Sequence, residues 1–311
     1  MLDALSKSFF HALAGSKSIK SLASRYGMRH PGSFGRRFIA GESIEEAIPA
    51  ARELASRGLL LTLDQLGESV TSLDEARTAT DNYLKIIETI VASGIERNVS
   101  LKLTQLGLDL DRAHATDNLR RILDLAQRHD FFVRVDMEDS PYTDVTLDVF
   151  ETMWGLGYRN AGVVLQSYLR RSERDLARVN ALGARVRLVK GAYKEPREVA
   201  FQSKAEVDAC FERMTRTLLL EGVYPAIATH DVRMIDYTKR VAAEHGIARD
   251  RFEFQMLFGI RRDLQAALVA EGYRMRVYVP FGTEWFPYFM RRLGERPANV
   301  GFVIRGILSD R

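Results

Sequence analysis

The stretch Arg185–Tyr193, RVRLVKGAY, is a short aliphatic run closed by a cation and a glycine, and its form recurs along the chain. Leu59 to Leu63, Val99 to Leu103, Phe131 to Val135, Gly162 to Gln166, Arg185 to Val189, Tyr224 to Ala228, Phe252 to Gln255 and Met275 to Val279 are eight such runs. Each reads as a short buried strand, because aliphatic and β-branched residues dominate it. Between the runs the apolar period is helical, as in Asn118 to Arg128, where Leu119, Ile122, Leu123 and Ala126 mark one face. Strand then helix, eight times over, predicts an α/β fold closed into a (β/α)8 TIM barrel, whose active site is built at the C-terminal ends of the strands. The residues at those ends are Asp64 and Glu68, Lys102, Asp136 with Met137, Gln166, Lys190, Thr229 with His230, Gln255 with Leu257, and Tyr278. Charged and polar endings on all eight strands would converge on one mouth.

The 311 residues suffice for one large barrel and a small appendage. The residues before about 55 carry no strand signal and predict helices over Leu2 to Ala14, around Ile19 to Tyr26, and over Ile44 to Arg57, with Ser43 as N-cap and Gly58 as C-cap. The expected division is a helical extension over 1–55 and a catalytic barrel over 56–311. The N-terminal segment MLDALSKSFFHALAG carries Asp3 ahead of its short apolar part, so it reads as an amphipathic helix rather than a signal peptide. The single cysteine, Cys210, leaves no intrachain disulfide and points to a reducing, cytoplasmic setting. Cys210 lies in the helical stretch Val207 to Leu220 and reads as a buried, inert thiol. The formal charge of +4 is mild and its basic residues are interspersed with acids, which disfavours nucleic-acid binding. No apolar run approaches the roughly 18 residues that a transmembrane helix needs.

Two clusters suggest chemistry. Arg187 and Lys190 beside Gly191 place two cations at the end of the fifth run, where something anionic or electron-accepting is expected. Rim salt bridges are the plain alternative, and a Schiff-base lyase using Lys190 is the sharper one. Near the C-terminus, Tyr288, Arg291, Arg292 and Glu295 share one helix face by their spacing. Two guanidiniums above an aromatic ring would clamp a carboxylate, whereas an Arg291–Glu295 pair on a solvated face would do nothing. His230 has no second histidine at ligand spacing, so no metal is predicted. Serine-hydrolase, P-loop and Rossmann motifs are lacking from the sequence.

The segments SLKLTQLGLDL, VRVDMEDS, VVLQSYLRR, RLVKGAY, ATHD, FEFQML and YVPFGTEWFPYFMRRLGERPAN together resemble the proline dehydrogenase family. The likeness is nearest to the short monofunctional bacterial enzymes and more distant to the proline dehydrogenase domain of the bifunctional proline utilisation A proteins. It runs from about Arg36 to the end of the chain. The resemblance implies a distorted barrel that holds FAD, with the last helix over the mouth. It further implies oxidation of L-proline to 1-pyrroline-5-carboxylate by hydride transfer from C5 to flavin N5, the first step of proline degradation to glutamate. Electrons would pass to a membrane quinone, and a separate 1-pyrroline-5-carboxylate dehydrogenase would take the product. The protein would then be cytoplasmic or peripheral on the inner face of the cell membrane, with no transmembrane span.

Carried onto this chain, the resemblance makes Lys102, Arg291 and Arg292 the carboxylate site, with Asp136 orienting Lys102. Leu188, Tyr193, Tyr278 and Tyr288 would wall the substrate ring. Arg187 would lie near flavin N5 and Lys190 near the flavin pyrimidine. Met137, Gln166, Gly191, Ala192, Thr229, His230 and Gln255 would complete the cofactor site, and Glu68 would pair with Arg291 as a gate. Lys194 departs from the tryptophan of the bifunctional proteins, which puts a flavin contact there in doubt.

Overall fold

A computed structural model describes Met28 and residues 33–295, with Phe34 and the last five of these as backbone only. The expected helices at Leu2 to Ala14 and Ile19 to Tyr26 lie outside the described residues. Eight parallel strands close into a barrel in sequence order. They are β1 (Leu60–Gln65), β2 (Asn98–Leu101), β3 (Phe132–Val135), β4 (Ala161–Gln166), β5 (Arg185–Val189), β6 (Ala226–Ala228), β7 (Glu253–Leu257) and β8 (Arg274–Phe281). Six pairs in register from Leu60↔Arg276 to Gln65↔Phe281 close β1 onto β8. Each predicted run becomes a strand. The sixth loses its first two residues, because Tyr224 adopts a left-handed φ of 46° and Pro225 has no N–H to give a ladder.

The helices, numbered in chain order, are α1 (Ile44–Ser56), α2 (Leu73–Ser93), α3 (Arg112–Arg128), α4 (Thr143–Gly155), α5 (Ser172–Ala181), α6 (Lys204–Glu221), α7 (Val232–Glu244), α8 (Arg262–Ala270) and α9 (Trp285–Glu295). Their starts follow from capping. The Ser72 hydroxyl of α2 accepts from the Glu75 N–H, and the Glu75 carboxylate reaches back to the Thr71 N–H at 2.7 Å. Leu119, Ile122, Leu123 and Ala126 of α3 are fully buried, as their spacing predicts.

α1 takes the place in the outer ring that a simple barrel would give α9. The chain enters α1 beside the end of β8, where Ala40 N–H donates to Pro280 O and Gly282 N–H donates to Gly41 O. It then runs back to the start of β1, burying Ile44, Ala47, Ala51 and Leu54 in the main core between sheet and helices. α1 thus fills the gap between β8 and β1 in the outer ring. No break in the core separates residues 44–55 from the barrel, so the expected boundary at 55/56 does not divide two cores among the described residues. α9 is free to lie elsewhere. Its Trp285, Phe286, Tyr288, Phe289 and Met290 form a second apolar cluster with Phe38, Ile39, Leu66 and Ile260, and Leu257 packs against it. Leu66 and Leu257 stand at the C-terminal ends of β1 and β7, so α9 lies over the barrel mouth.

Candidate active site

The pleat sorts each strand into alternating faces. Side chains that meet across the barrel identify the inward set: Thr62 and Asp64, Ser100 and Lys102, Arg134 and Asp136, Gln166, Arg187, Glu253 and Gln255, Arg276 and Tyr278. They form a floor and a mouth.

At the mouth, Arg187 of β5 spans the barrel. Its Nη1 donates to Asp136 Oδ1 at 2.7 Å and its Nη2 to Ser100 Oγ at 2.9 Å, while Ser100 meets Thr62 Oγ1 at 3.3 Å. The Tyr278 hydroxyl donates to the other oxygen of Asp136 at 2.9 Å, and the Arg187 guanidinium lies 5.3 Å from the centroid of the Tyr278 ring. Burial raises the phenol pKa of Tyr278, and the neighbouring Asp136 and Asp64 carboxylates raise it further, so the ring stays neutral and donates. Lys102 Nζ lies 3.5 Å from Asp64 Oδ1. Burial disfavours its ammonium, but Asp64 and Asp136 outweigh that penalty and its pKa is raised. Asp64 is fully buried and neither of its oxygens accepts a hydrogen bond. Burial pushes its carboxyl up, against the pull of Lys102.

This geometry revises one expected role. The carboxylate within ion-pair distance of Lys102 is Asp64, whereas Asp136 is engaged by Arg187 and Tyr278. Asp64, one of the expected strand-end residues, acquires Lys102 as its partner, and Ser100 acquires a part that its strand position allowed but its sequence context did not signal.

The remaining candidates divide by the same alternation. Gln166 Nε2 donates to the carbonyls of Met137 at 3.1 Å and Glu138 at 2.9 Å, leaving its buried Oε1 without a partner. Gly191 adopts φ +109°, and a Cβ there would lie 2.3 Å from the Tyr168 ring, so only glycine lets this turn, with Ala192 and Tyr193, seat on Tyr168. Thr229 Oγ1 accepts from the Asp231 N–H, and His230 Nε2 accepts from the Leu257 N–H at 3.0 Å. Glu68 is half-buried on the turn after β1. Tyr288 lies buried in the cluster beneath α9. The backbone of Arg291 and Arg292 continues α9, but their side chains lie outside the described ones, and with them the Glu68–Arg291 gate.

Three residues depart from expectation. Leu188 follows the inward Arg187 and therefore faces the opposite way, fully buried in the core between sheet and helices, so it does not wall the mouth. The apolar inward residue beside Tyr278 is Leu257, its register partner. Lys190 likewise turns toward α6 and α7, where its Nζ meets Asp208 Oδ1 at 2.5 Å and Asp231 Oδ2 at 2.7 Å. Its charge is committed there, unlike the isolated amine that Schiff-base chemistry uses. The Gln255 amide donates to Glu253, toward the floor.

The floor is tied mainly within the protein, with Arg134 Nε buried and without a partner. Arg276 donates to both oxygens of Glu253 at 2.7 and 3.0 Å, and its Nη1 to Leu61 O and Glu96 Oε1, each at 2.6 Å. Arg134 Nη1 reaches Val163 O and Arg185 O because Gly162 leaves room, a Cβ there lying 2.6 Å from that nitrogen.

A family model described as proline dehydrogenase matches residues 47–305. This chain belongs to the proline dehydrogenase family. It is 44% identical to proline dehydrogenase 2 of Bacillus subtilis over 97% of its own length and 99% of that protein's. It is 47% identical to the proline dehydrogenase of Deinococcus radiodurans over 88% of this chain and 89% of that one. Among solved structures, proline utilization A from Bdellovibrio bacteriovorus, inactivated by N-propargylglycine, superposes with a TM-score of 0.79 at 30% identity. That match covers 84% of this chain and about a third of the larger protein, 32%.

Proposed function

We propose that the protein oxidises L-proline to 1-pyrroline-5-carboxylate with a bound FAD at the barrel mouth. The observation that carries this reading is the open set of buried charges beneath α9, where Lys102, Arg187, Asp64 and Asp136 face a common space. Lys102 supplies a cation for the substrate carboxylate, and Arg291 and Arg292 on α9 are the further cations proposed for it. Tyr193, Tyr278, Tyr288 and Leu257 are the proposed apolar walls of the pyrrolidine ring, holding C5 in line for transfer.

The residues present fit a flavin. Buried Gln166 Oε1 and Arg187 Nε lack hydrogen-bond partners, as groups reserved for a polar ligand would, and the Gly191 turn offers close backbone approach. Arg187, Gly191, Ala192, Thr229, His230, Met137 and Gln166 are the proposed contacts. A flavin held by these residues would supply the hydride acceptor for proline C5. Arg187 then offers a fixed positive charge where negative charge develops. Lys190 acts at one remove, holding the β5 and β6 ends to α6 and α7 through Asp208 and Asp231. A membrane quinone as acceptor and a separate 1-pyrroline-5-carboxylate dehydrogenase downstream are proposed on family membership. Among the described residues no helix is long and apolar enough to cross a membrane.

Anaerobic addition of proline to the purified protein tests the reading. Loss of the flavin's visible absorbance, with 1-pyrroline-5-carboxylate formed in equal amount, is expected. A protein purified without flavin that cannot be loaded with it, or flavin that proline does not bleach, contradicts it.

A further inference from the structure

One buried carboxylate at the mouth is not accounted for by substrate or cofactor. Glu138 follows Asp136 by two residues, is 4% exposed, and its two oxygens accept from one residue. Oε1 accepts from the Thr104 N–H at 3.2 Å and Oε2 from the Thr104 hydroxyl at 2.6 Å. Thr104 is itself the anchor of a third segment. Its Oγ1 accepts from the Ser69 N–H at 3.1 Å and its carbonyl oxygen from the Val70 N–H at 3.4 Å. Ser69 is held with a left-handed φ of 53°, which a non-glycine residue keeps only when its surroundings impose it.

Three strand ends therefore meet at one side chain. Thr104 lies two residues past Lys102, Ser69 immediately follows Glu68, and Glu138 continues the strand of Asp136. The backbone of Glu138 is fixed from the other side, because Gln166 Nε2 donates to its carbonyl. Burial pushes the Glu138 carboxyl up to about 7, and the two bonds from Thr104 together with the nearby Lys102 charge pull against that rise.

We propose that Glu138 is a positioning residue for substrate binding: through Thr104 it holds the Glu68 turn and the Lys102 strand end in the arrangement that receives the proline carboxylate. The inference rests on the reading of Lys102 and Glu68 as substrate-side groups. It assigns Glu138 no contact with proline. A carboxylate that merely stabilised the fold would tie the same segments without setting substrate affinity, and the two roles separate in the kinetics.

The test uses the full-length, flavin-loaded protein with Glu138→Gln, Thr104→Val, Thr104→Ser and Lys102→Met. Amide hydrogen exchange at Ser69 and Val70 reads the turn directly, and proline KM and kcat with a dye acceptor read its consequence. Glu138→Gln and Thr104→Val should speed exchange at Ser69 roughly ten-fold, as loss of one buried hydrogen bond implies. They should raise proline KM by a similar factor while kcat stays within about two-fold. Thr104→Ser, which keeps the hydroxyl, should restore both. Should Glu138→Gln fail to fold, the isosteric Thr104→Val carries the comparison alone. Unchanged exchange at Ser69, or faster exchange with unchanged KM, overturns the proposal. Lys102→Met keeps the two claims apart: an unchanged KM there removes Lys102 from the substrate site, whereas a raised KM there beside an unchanged KM in the other variants overturns the clamp alone.

Discussion

The floor and the mouth of the barrel both bury charge, but they finish it differently. At the floor Arg276 meets Glu253 through two parallel bonds and then finds Leu61 O and Glu96, and Glu253 receives Tyr224 and Gln255 as well. At the mouth Asp64 accepts no hydrogen bond, and Gln166 Oε1 and Arg187 Nε have no partner. A charge that has left water is costly unless its bonding capacity is filled. The Arg276–Glu253 pair fills it within the protein and is scaffold, although Arg134 Nε beside that pair is also buried without a partner. The mouth leaves part of it open, and groups held that way are the ones available to a ligand.

The largest effect should come from the floor. Arg276→Met strands the buried Glu253 and should lower unfolding stability by about 3–5 kcal/mol, read by guanidinium titration. Proline affinity of the folded variant should be unchanged. A variant with full stability and altered affinity would erase the division between the two regions.

Glu138 gives a pH signature of slightly smaller size. Its carboxyl is raised from 4.5 to about 7 in the folded protein, so between those values the folded state binds more protons than the unfolded one. The contribution to stability is therefore present below pH 4.5 and lost as pH rises through 7. Glu138→Gln removes this loss, and its stability relative to wild type should improve by on the order of 3 kcal/mol across that interval. A difference between the two proteins that does not vary with pH would mean Glu138 ionises normally.

Tyr278→Phe removes one bond to Asp136 and leaves the Arg187 pair in place. It should lower kcat/KM by about 1–2 kcal/mol with little change in melting temperature. Equal loss of stability and activity would place Tyr278 with the floor. Asp64→Asn is the counterpart at the mouth. It leaves the buried Lys102 ammonium without its ion-pair partner, so unfolding stability should fall, but by less than in Arg276→Met because the pair makes one contact at 3.5 Å rather than two short bonds, while proline KM rises. A loss as large as that of Arg276→Met would show that Asp64 is scaffold.

The contrast also explains what the sequence could disclose. Eight aliphatic runs with helical stretches between them predict the barrel because core-facing strands have few other ways to be written. Lys102, Asp136, Arg187 and Tyr278 are legible because a charge or phenol at a strand's C-terminal end has one mouth to face. Leu188 enters the expected site through the family resemblance and Lys190 through its place at the end of the fifth run, yet neighbours on a strand point to opposite faces, and the partners of Lys190 lie on α6 and at the N-cap of α7. The pairing of Asp64 with Lys102, and of Glu138 with Thr104, joins different strands across a barrel wall. Such pairs follow from strand register, which composition does not reveal.

The most direct measurement compares mouth and floor in one experiment: the proline concentration that half-saturates anaerobic flavin bleaching in wild type, Lys102→Met and Arg276→Met. Loss of a charge-assisted bond to a buried carboxylate is worth about 1.5–3 kcal/mol, so Lys102→Met should need roughly ten- to a hundred-fold more proline. Arg276→Met, folded and flavin-loaded, should bleach within about two-fold of the wild-type concentration. Bleaching of Lys102→Met at the wild-type proline concentration would contradict the placement of the substrate at the barrel mouth.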